Sequence, residues 1–117
     1  MTVLIVDDNA GIRRVIRRNL NSAVRTVWEC SDGRQALAAF QEYRPDIVLM
    51  DVQMPDMDGL TATRQIRDLE PSACIVMLTD HDDDDLRRAA AAAGASDYLL
   101  KQNLMNLPDV LSNLLRK

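Results

Sequence analysis

Four short apolar runs in this chain each end in a polar residue able to do chemistry. Val3 to Val6 runs into Asp7-Asp8, Ile47 to Met50 into Asp51, Ala73 to Leu78 into Thr79, and Tyr98 to Leu100 into Lys101. Three carboxylates brought together would repel, so at neutral pH they must hold protons or bind a cation. Oxygen-only ligands suit a hard cation, and one or two carboxylates with water and phosphate is the usual Mg2+ pattern. A carboxylate beside such a cation and an ammonium can attack phosphorus to give an acyl phosphate. The metal and Lys101 would then offset charge on the phosphoryl oxygens, and Thr79 could hydrogen-bond one of them. An ionised carboxylate needs no general base, so the lone histidine, His81, need not be catalytic.

Such chemistry requires that distant strand ends meet. The runs read as short strands; Ile47 to Met50 is too short for a helix and reads as a strand buried on both faces, as in a parallel sheet. A second strand is expected at Val24 to Trp28. Helical spacing of Ile12, Val15, Ile16 and Leu20 predicts helix one. Ser31 or Asp32 is placed to cap helix two, with Ala36, Leu37 and Phe40 facing inward and Pro45 beyond its end. Helix three follows Gly59, with Leu60, Thr63, Ile66 and Leu69 inward, and Pro71 breaks it. Helix four covers Asp82 to Ala93, capped by Gly94. Helix five starts near Asn106 and Pro108 and carries Leu107, Val110, Leu111, Leu114 and Leu115. Five strands alternating with five helices predict an α/β fold, a doubly wound parallel sheet with right-handed crossovers and helices on both faces. In the flavodoxin-like order 2-1-3-4-5, strands one and three flank the switch point, so Asp7, Asp8 and Asp51 converge in its crevice.

The bulk properties bound the rest. With 117 residues, 47% hydrophobic and 27% charged, the chain fits one globular domain over 1–117. A net charge of −4 argues against general nucleic-acid binding. Cys30 and Cys74 lack metal or redox spacing and read as buried thiols of a reducing cytosol. There is no basic n-region before the first strand and no apolar run near the length of a membrane span, so a cytoplasmic location is expected.

Together, Leu4-Ile-Val-Asp-Asp8, Asp51-x-x-Met-Pro-x-x-x-Gly59, Leu78-Thr79 and Gly94-Ala-x-x-Tyr-Leu-x-Lys101 resemble the receiver domain of bacterial two-component response regulators along essentially the full chain. The resemblance implies a CheY-like fold in which Asp51 accepts a phosphoryl group from a histidine kinase or phosphotransfer protein. It implies Mg2+, or Mn2+ in its place, on Asp8, Asp51 and the main-chain carbonyl of Gln53, with Asp7 acting mainly through a metal-bound water. It makes Thr79 and Tyr98 the switch residues, Tyr98 changing between outward and buried rotamers. The output is then the surface of helix four, strand five and helix five, which acts on a downstream protein or output domain or drives a phosphorylation-dependent homodimer. His81 and Gln53 occupy positions that tune dephosphorylation in the family. The implied protein is a signalling domain that catalyses only its own phosphoryl uptake and slow autodephosphorylation.

Gln102 stands where the family commonly has a proline after a cis bond, and a cis bond before a non-proline costs about 3 kcal/mol, so a trans bond is expected. The Lys101-Gln-Asn-Leu104 wording is similar to receivers of the NarL/LuxR type. Each residue also has a plainer reading: Tyr98 as half-buried core, His81 and Gln53 as solvent-facing. Asp82–Asp85 read as acids at a helix N-terminus. Arg13, Arg14, Arg17 and Arg18 read as a solvated helix face that could also meet an acidic partner patch. The competing function is a phosphorylation-independent interaction module. An aspartyl phosphohydrolase is disfavoured because Gln53, not an acid, lies two residues after Asp51. A dinucleotide-binding protein is disfavoured because no G-x-G-x-x-G follows strand one.

Overall fold

The computed structural model describes residues 1–55 and 57–115. The strands are β1 (Thr2–Val6), β2 (Thr26–Cys30), β3 (Ile47–Asp51), β4 (Ile75–Thr79) and β5 (Asp97–Leu100). The helices are α1 (Ala10–Arg18), α2 (Gly33–Tyr43), α3 (Gly59–Leu69), α4 (Asp84–Ala93) and α5 (Leu107–Leu115). All strand pairs are parallel, in the expected order β2-β1-β3-β4-β5.

The period-two alternation of the strands builds two cores. Leu4, Val6, Val48, Met50, Ile75 and Met77 face Ala36 and Phe40 of α2, Ala62 and Ile66 of α3, and Ala90 of α4. Val3, Ile5, Ile47, Leu49, Val76 and Leu78 face the other way, onto Ile16 of α1 and Leu107 and Leu111 of α5. With β1, β3 and β4 sealed on both sides, their polar C-terminal residues can emerge only at the sheet edge. Cys30 and Cys74 belong to opposite faces of the sheet, so no disulfide can join them.

Some boundaries depart from the sequence expectations. The second strand runs from Thr26 to Cys30 rather than from Val24 to Trp28. Asn21 holds the preceding turn, its side chain accepting from Ala23 N and its carbonyl from Val24 N, and pairing with β1 carries the strand on to Cys30. The fourth strand starts at Ile75, because Ala73 N donates to the Glu70 carbonyl in the turn after α3. Helix four starts at Asp84, with Asp83 as its cap, accepting from Asp85 N and Leu86 N. Asp32, rather than Ser31, caps α2, accepting from Gln35 N.

Val15 and Leu69 are exposed rather than inward. The inward rows are Ile12–Ile16, with Ile12 partly buried, and Ala62–Ile66, at the i, i+4 spacing that stays on one helix face, and Leu69 lies one turn past the edge of the core. Leu20 packs on the core but follows the end of α1. The side chain of Leu115 lies outside the described residues. A 3-10 segment from Lys101 to Asn106, not anticipated from the sequence, joins β5 to α5 with a kink at Asn103. The Lys101–Gln102 bond is trans, as expected.

Gly59 shows how closely the β3–α3 loop folds onto the site. A Cβ there would lie 1.9 Å from the Asp51 carbonyl oxygen, and Gly59 N donates to the Val52 carbonyl at 2.8 Å. Gly94 ends α4 with φ 103°, a left-handed cap that glycine adopts without a Cβ clash.

Candidate functional site

The ends of β1, β3 and β4, with the first residue after β5, surround a cavity of about 270 Å³. Asp7, Asp8, Asp51, Gln53, Thr79, His81 and Lys101 all line it. Asp7, Asp51 and Thr79 are the buried acids and hydroxyl; Asp8, Gln53 and His81 are exposed at its mouth. One oxygen from each of Asp7, Asp8 and Asp51 lies within 4.8 Å of the others.

Lys101 Nζ lies 3.0 Å from Asp51 Oδ1 and 2.9 Å from Asp7 Oδ2. Its side chain is only 10% exposed, so the ammonium depends on these two acids for charge balance. Burial alone would lower the Lys101 pKa, but the acids beside it outweigh burial and hold it above its usual value. Burial pushes Asp51 up to about 6; Lys101 pulls it down, while the charges of Asp7 and Asp8 push it further up. A neutralising cation beside Asp51 would offset this cost of holding its buried anion.

Asp7 is held on several sides. Its Oδ1 accepts from Asn9 N at 2.9 Å, and its main-chain N–H donates to the Cys30 carbonyl. Its Oδ2 is buried and, the Lys101 ion pair aside, has no hydrogen-bond partner. A buried carboxylate oxygen with spare capacity beside two further acids suits a hydrated hard cation.

Thr79 and Tyr98 are joined through His81. Thr79 Oγ1 accepts from His81 N at 3.2 Å, and the Tyr98 hydroxyl donates to the His81 carbonyl at 2.5 Å. Tyr98 does not line the cavity. It is half-buried behind it, with the Arg87 guanidinium 4.5 Å above its ring. Arg87 is itself paired with Asp82 at 3.2 Å.

Sequence reasoning passed over Asn9 and misread part of the α1 face. Asn9 caps α1, accepting from Ile12 N, while its own N–H holds Asp7; an asparagine just before a helical period is a recognisable cap signal. Arg13 and Arg17 are not simply solvated, because both pair with Glu29 of β2, at 2.9 and 2.6 Å. Arg13 also reaches the Asp7 carbonyl. No local pattern could reveal this, since Glu29 joins the cluster only through the pairing of β1 with β2.

Residues 3–112 match the family described as the response regulator receiver domain. The chain is 41% identical over 99 residues to the response regulator MprA of Mycolicibacterium vanbaalenii, covering 85% of this chain and 43% of that protein. It is 37% identical over 100 residues to the chemotaxis protein CheY of Bacillus subtilis, covering 85% of this chain and 83% of that one. A LuxR-family two-component response regulator from Aurantimonas sp. superposes with a TM-score of 0.91 at 31% identity, over 99% of this chain and 86% of the other. The chain thus spans less than half of the first relative and most of the second.

Proposed function

This chain belongs to the response regulator receiver domain family, a family of phosphoacceptor signalling domains, and from that premise we propose that Asp51 is the phosphoacceptor. The donor is a histidine kinase or a phosphotransfer protein carrying phosphohistidine. The Asp51 carboxylate attacks phosphorus, an O–P bond forms, the P–N bond breaks, and the imidazole leaves and takes a proton from solvent. Lys101, already against Asp51, stays with the phosphoryl oxygens as charge builds on them. Asp8, Asp51 and the Gln53 main-chain carbonyl would hold Mg2+, with Asp7 acting through an intervening water and Mn2+ suited to the same oxygens. The bound cation would supply charge neutralisation to the phosphoryl oxygens.

The observation that carries this reading is the convergence of three acids and one buried ammonium on a single cavity at the carboxyl ends of β1, β3 and β5. Thr79 would turn toward the new phosphoryl group, releasing its bond from His81 N. Through His81 the change reaches Tyr98, which alters the α4–β5–α5 surface and so a downstream protein, an output domain or a second copy of the chain. Gln53 and His81, at the cavity mouth, would set how readily water reaches the acyl phosphate and so the rate of slow self-dephosphorylation. The reading treats residues 1–117 as one receiver domain acting in the cytoplasm; no described helix is long and apolar enough to cross a membrane.

A small phosphodonor such as acetyl phosphate, with Mg2+, tests the assignment. Phosphate incorporation is expected in the native chain and none in Asp51→Asn; undiminished incorporation in the variant would remove Asp51 from its role. Fluoroberyllate with Mg2+ should shift amide resonances from Thr79 to Tyr98. Spectra left unmoved would instead favour a phosphorylation-independent interaction module.

A further inference from the structure

Arg13 projects from the second turn of α1, yet its side chain is only 19% exposed and points back to the end of β1. Its Nη1 donates to the Asp7 carbonyl at 2.6 Å, while its Nε donates to Glu29 Oε1 at 2.9 Å. Glu29 is held in turn by Arg17, whose Nη2 donates to Oε2 at 2.6 Å. The hydrogen bond from Arg17 keeps the Glu29 carboxyl below its usual range, so it remains an anion at neutral pH. The cluster ties two turns of α1 to the edge strand β2, with Arg13 as the member that reaches the acid crevice.

The point it grips matters. The Asp7 carbonyl oxygen and the Asp8 nitrogen belong to one planar peptide unit. Pinning that oxygen fixes the orientation of the plane, and with it the direction in which the Asp8 side chain leaves the chain. The other side of Asp7 is already fixed by its N–H on the Cys30 carbonyl. Asp8 itself is exposed, so little packing orients it. The planar guanidinium fork can serve both Glu29 and the Asp7 carbonyl at once, which a lysine ammonium at the end of a flexible stem does poorly.

We propose that Arg13, anchored by Glu29, is a positioning residue that fixes the Asp7–Asp8 peptide plane and so aims Asp8 at the cation site. The inference rests on the receiver reading above. It also makes a prediction opposite in sign to simple electrostatics. Arg13 is a cation near a cation site, so if its charge were all that mattered, removing it would tighten metal binding. Positioning predicts the reverse, because groups that orient a metal ligand are typically worth ten- to a hundredfold in affinity.

The test is Mn2+ affinity of the unphosphorylated protein, read by electron paramagnetic resonance or calorimetry, with folding checked by thermal melts. Arg13→Ala is expected to weaken Mn2+ binding about tenfold or more. Arg13→Lys, which keeps the charge and loses the fork, should weaken it in the same direction, and Glu29→Ala by a smaller factor. In metal-free protein the Asp7 carbonyl carbon resonance should move upfield in both Arg13 variants. Should Arg13→Ala fail to fold, Arg13→Lys, which leaves the charge unchanged, carries the same test. Native binding with equal or tighter binding in the folded variants, or an unmoved Asp7 resonance, overturns the role of Arg13 alone. Native protein that binds no Mn2+ overturns the receiver reading as well.

Discussion

The Tyr98 hydroxyl donates to the His81 main-chain carbonyl at 2.5 Å, and the His81 N–H donates to Thr79. One residue therefore connects the hydroxyl that lines the acid cavity to the half-buried aromatic ring on β5. Thr79 and Tyr98 are thus two hydrogen bonds apart, linked by a single stretch of backbone.

Tyr98→Phe removes the hydroxyl and leaves the ring in place under Arg87. Phosphate uptake should be unchanged, while the phosphorylation-dependent change in amide resonances of α4 and β5 should shrink or vanish. A lost hydrogen bond of this kind costs about 1 kcal/mol, visible in urea unfolding. A full wild-type response in Tyr98→Phe would show that the bond to His81 carries no signal.

Burial raises Asp51 to about 6 from its ordinary value near 3.8. The folded state therefore holds this proton more tightly than the unfolded chain. The stability contributed by the protonated form is complete below about pH 4, is lost as pH rises through about 6, and changes no further above that. Asp51→Asn removes the cost of the buried anion, so without added metal it should be more stable than the native chain at pH 7, by up to about 3 kcal/mol. The difference should narrow steadily on acidification below pH 6. Urea midpoints at a series of pH values would read this, and a gap constant with pH would contradict it.

Lys101 has its pKa raised by Asp7 and Asp51, so its stabilising contribution is present through the whole neutral range and is lost only in strong alkali. Lys101→Met should leave two buried acids without their counter-ion, destabilising the fold by a few kcal/mol at pH 7 and less near pH 4. Some phosphate uptake should survive in Lys101→Met and in Thr79→Ala, with the output surface uncoupled. A native-like change in partner binding or oligomer state in both variants would separate these residues from the switch.

Gly59→Ala would place a methyl 1.9 Å from the Asp51 carbonyl oxygen. Because backbone, and not a mobile side chain, blocks that space, the β3–α3 loop must move away from the site. Loss of at least 2 kcal/mol in stability is expected, together with weaker cation binding through displacement of Asp51 and Gln53. A variant with native stability and native Mn2+ affinity would show that the loop yields freely.

The sheet and most of the candidate site were legible in the order of residues along the chain. Continuous apolar runs can be satisfied only by burial on both faces, and a polar residue ending such a run must sit where the covering helices stop. That reasoning places Asp7, Asp8, Asp51, Thr79 and Lys101 on one edge, and the parallel order brings them around one cavity. Boundaries were legible where a strong signal stood, as at Gly94, and drifted where turn bonding decided them, as at Asn21 and Glu70. Contacts between elements distant in sequence were set by packing. Tyr98 joins Thr79 through the His81 backbone, Arg13 grips the Asp7 carbonyl because β2 carries Glu29 alongside, Val15 is exposed because it lies off the Ile12–Ile16 row, and Leu69 because the core ends before it. Periodicity reports which face of an element is apolar; it holds no record of which long side chain reaches across to another element, because that depends on the register and distance set by packing.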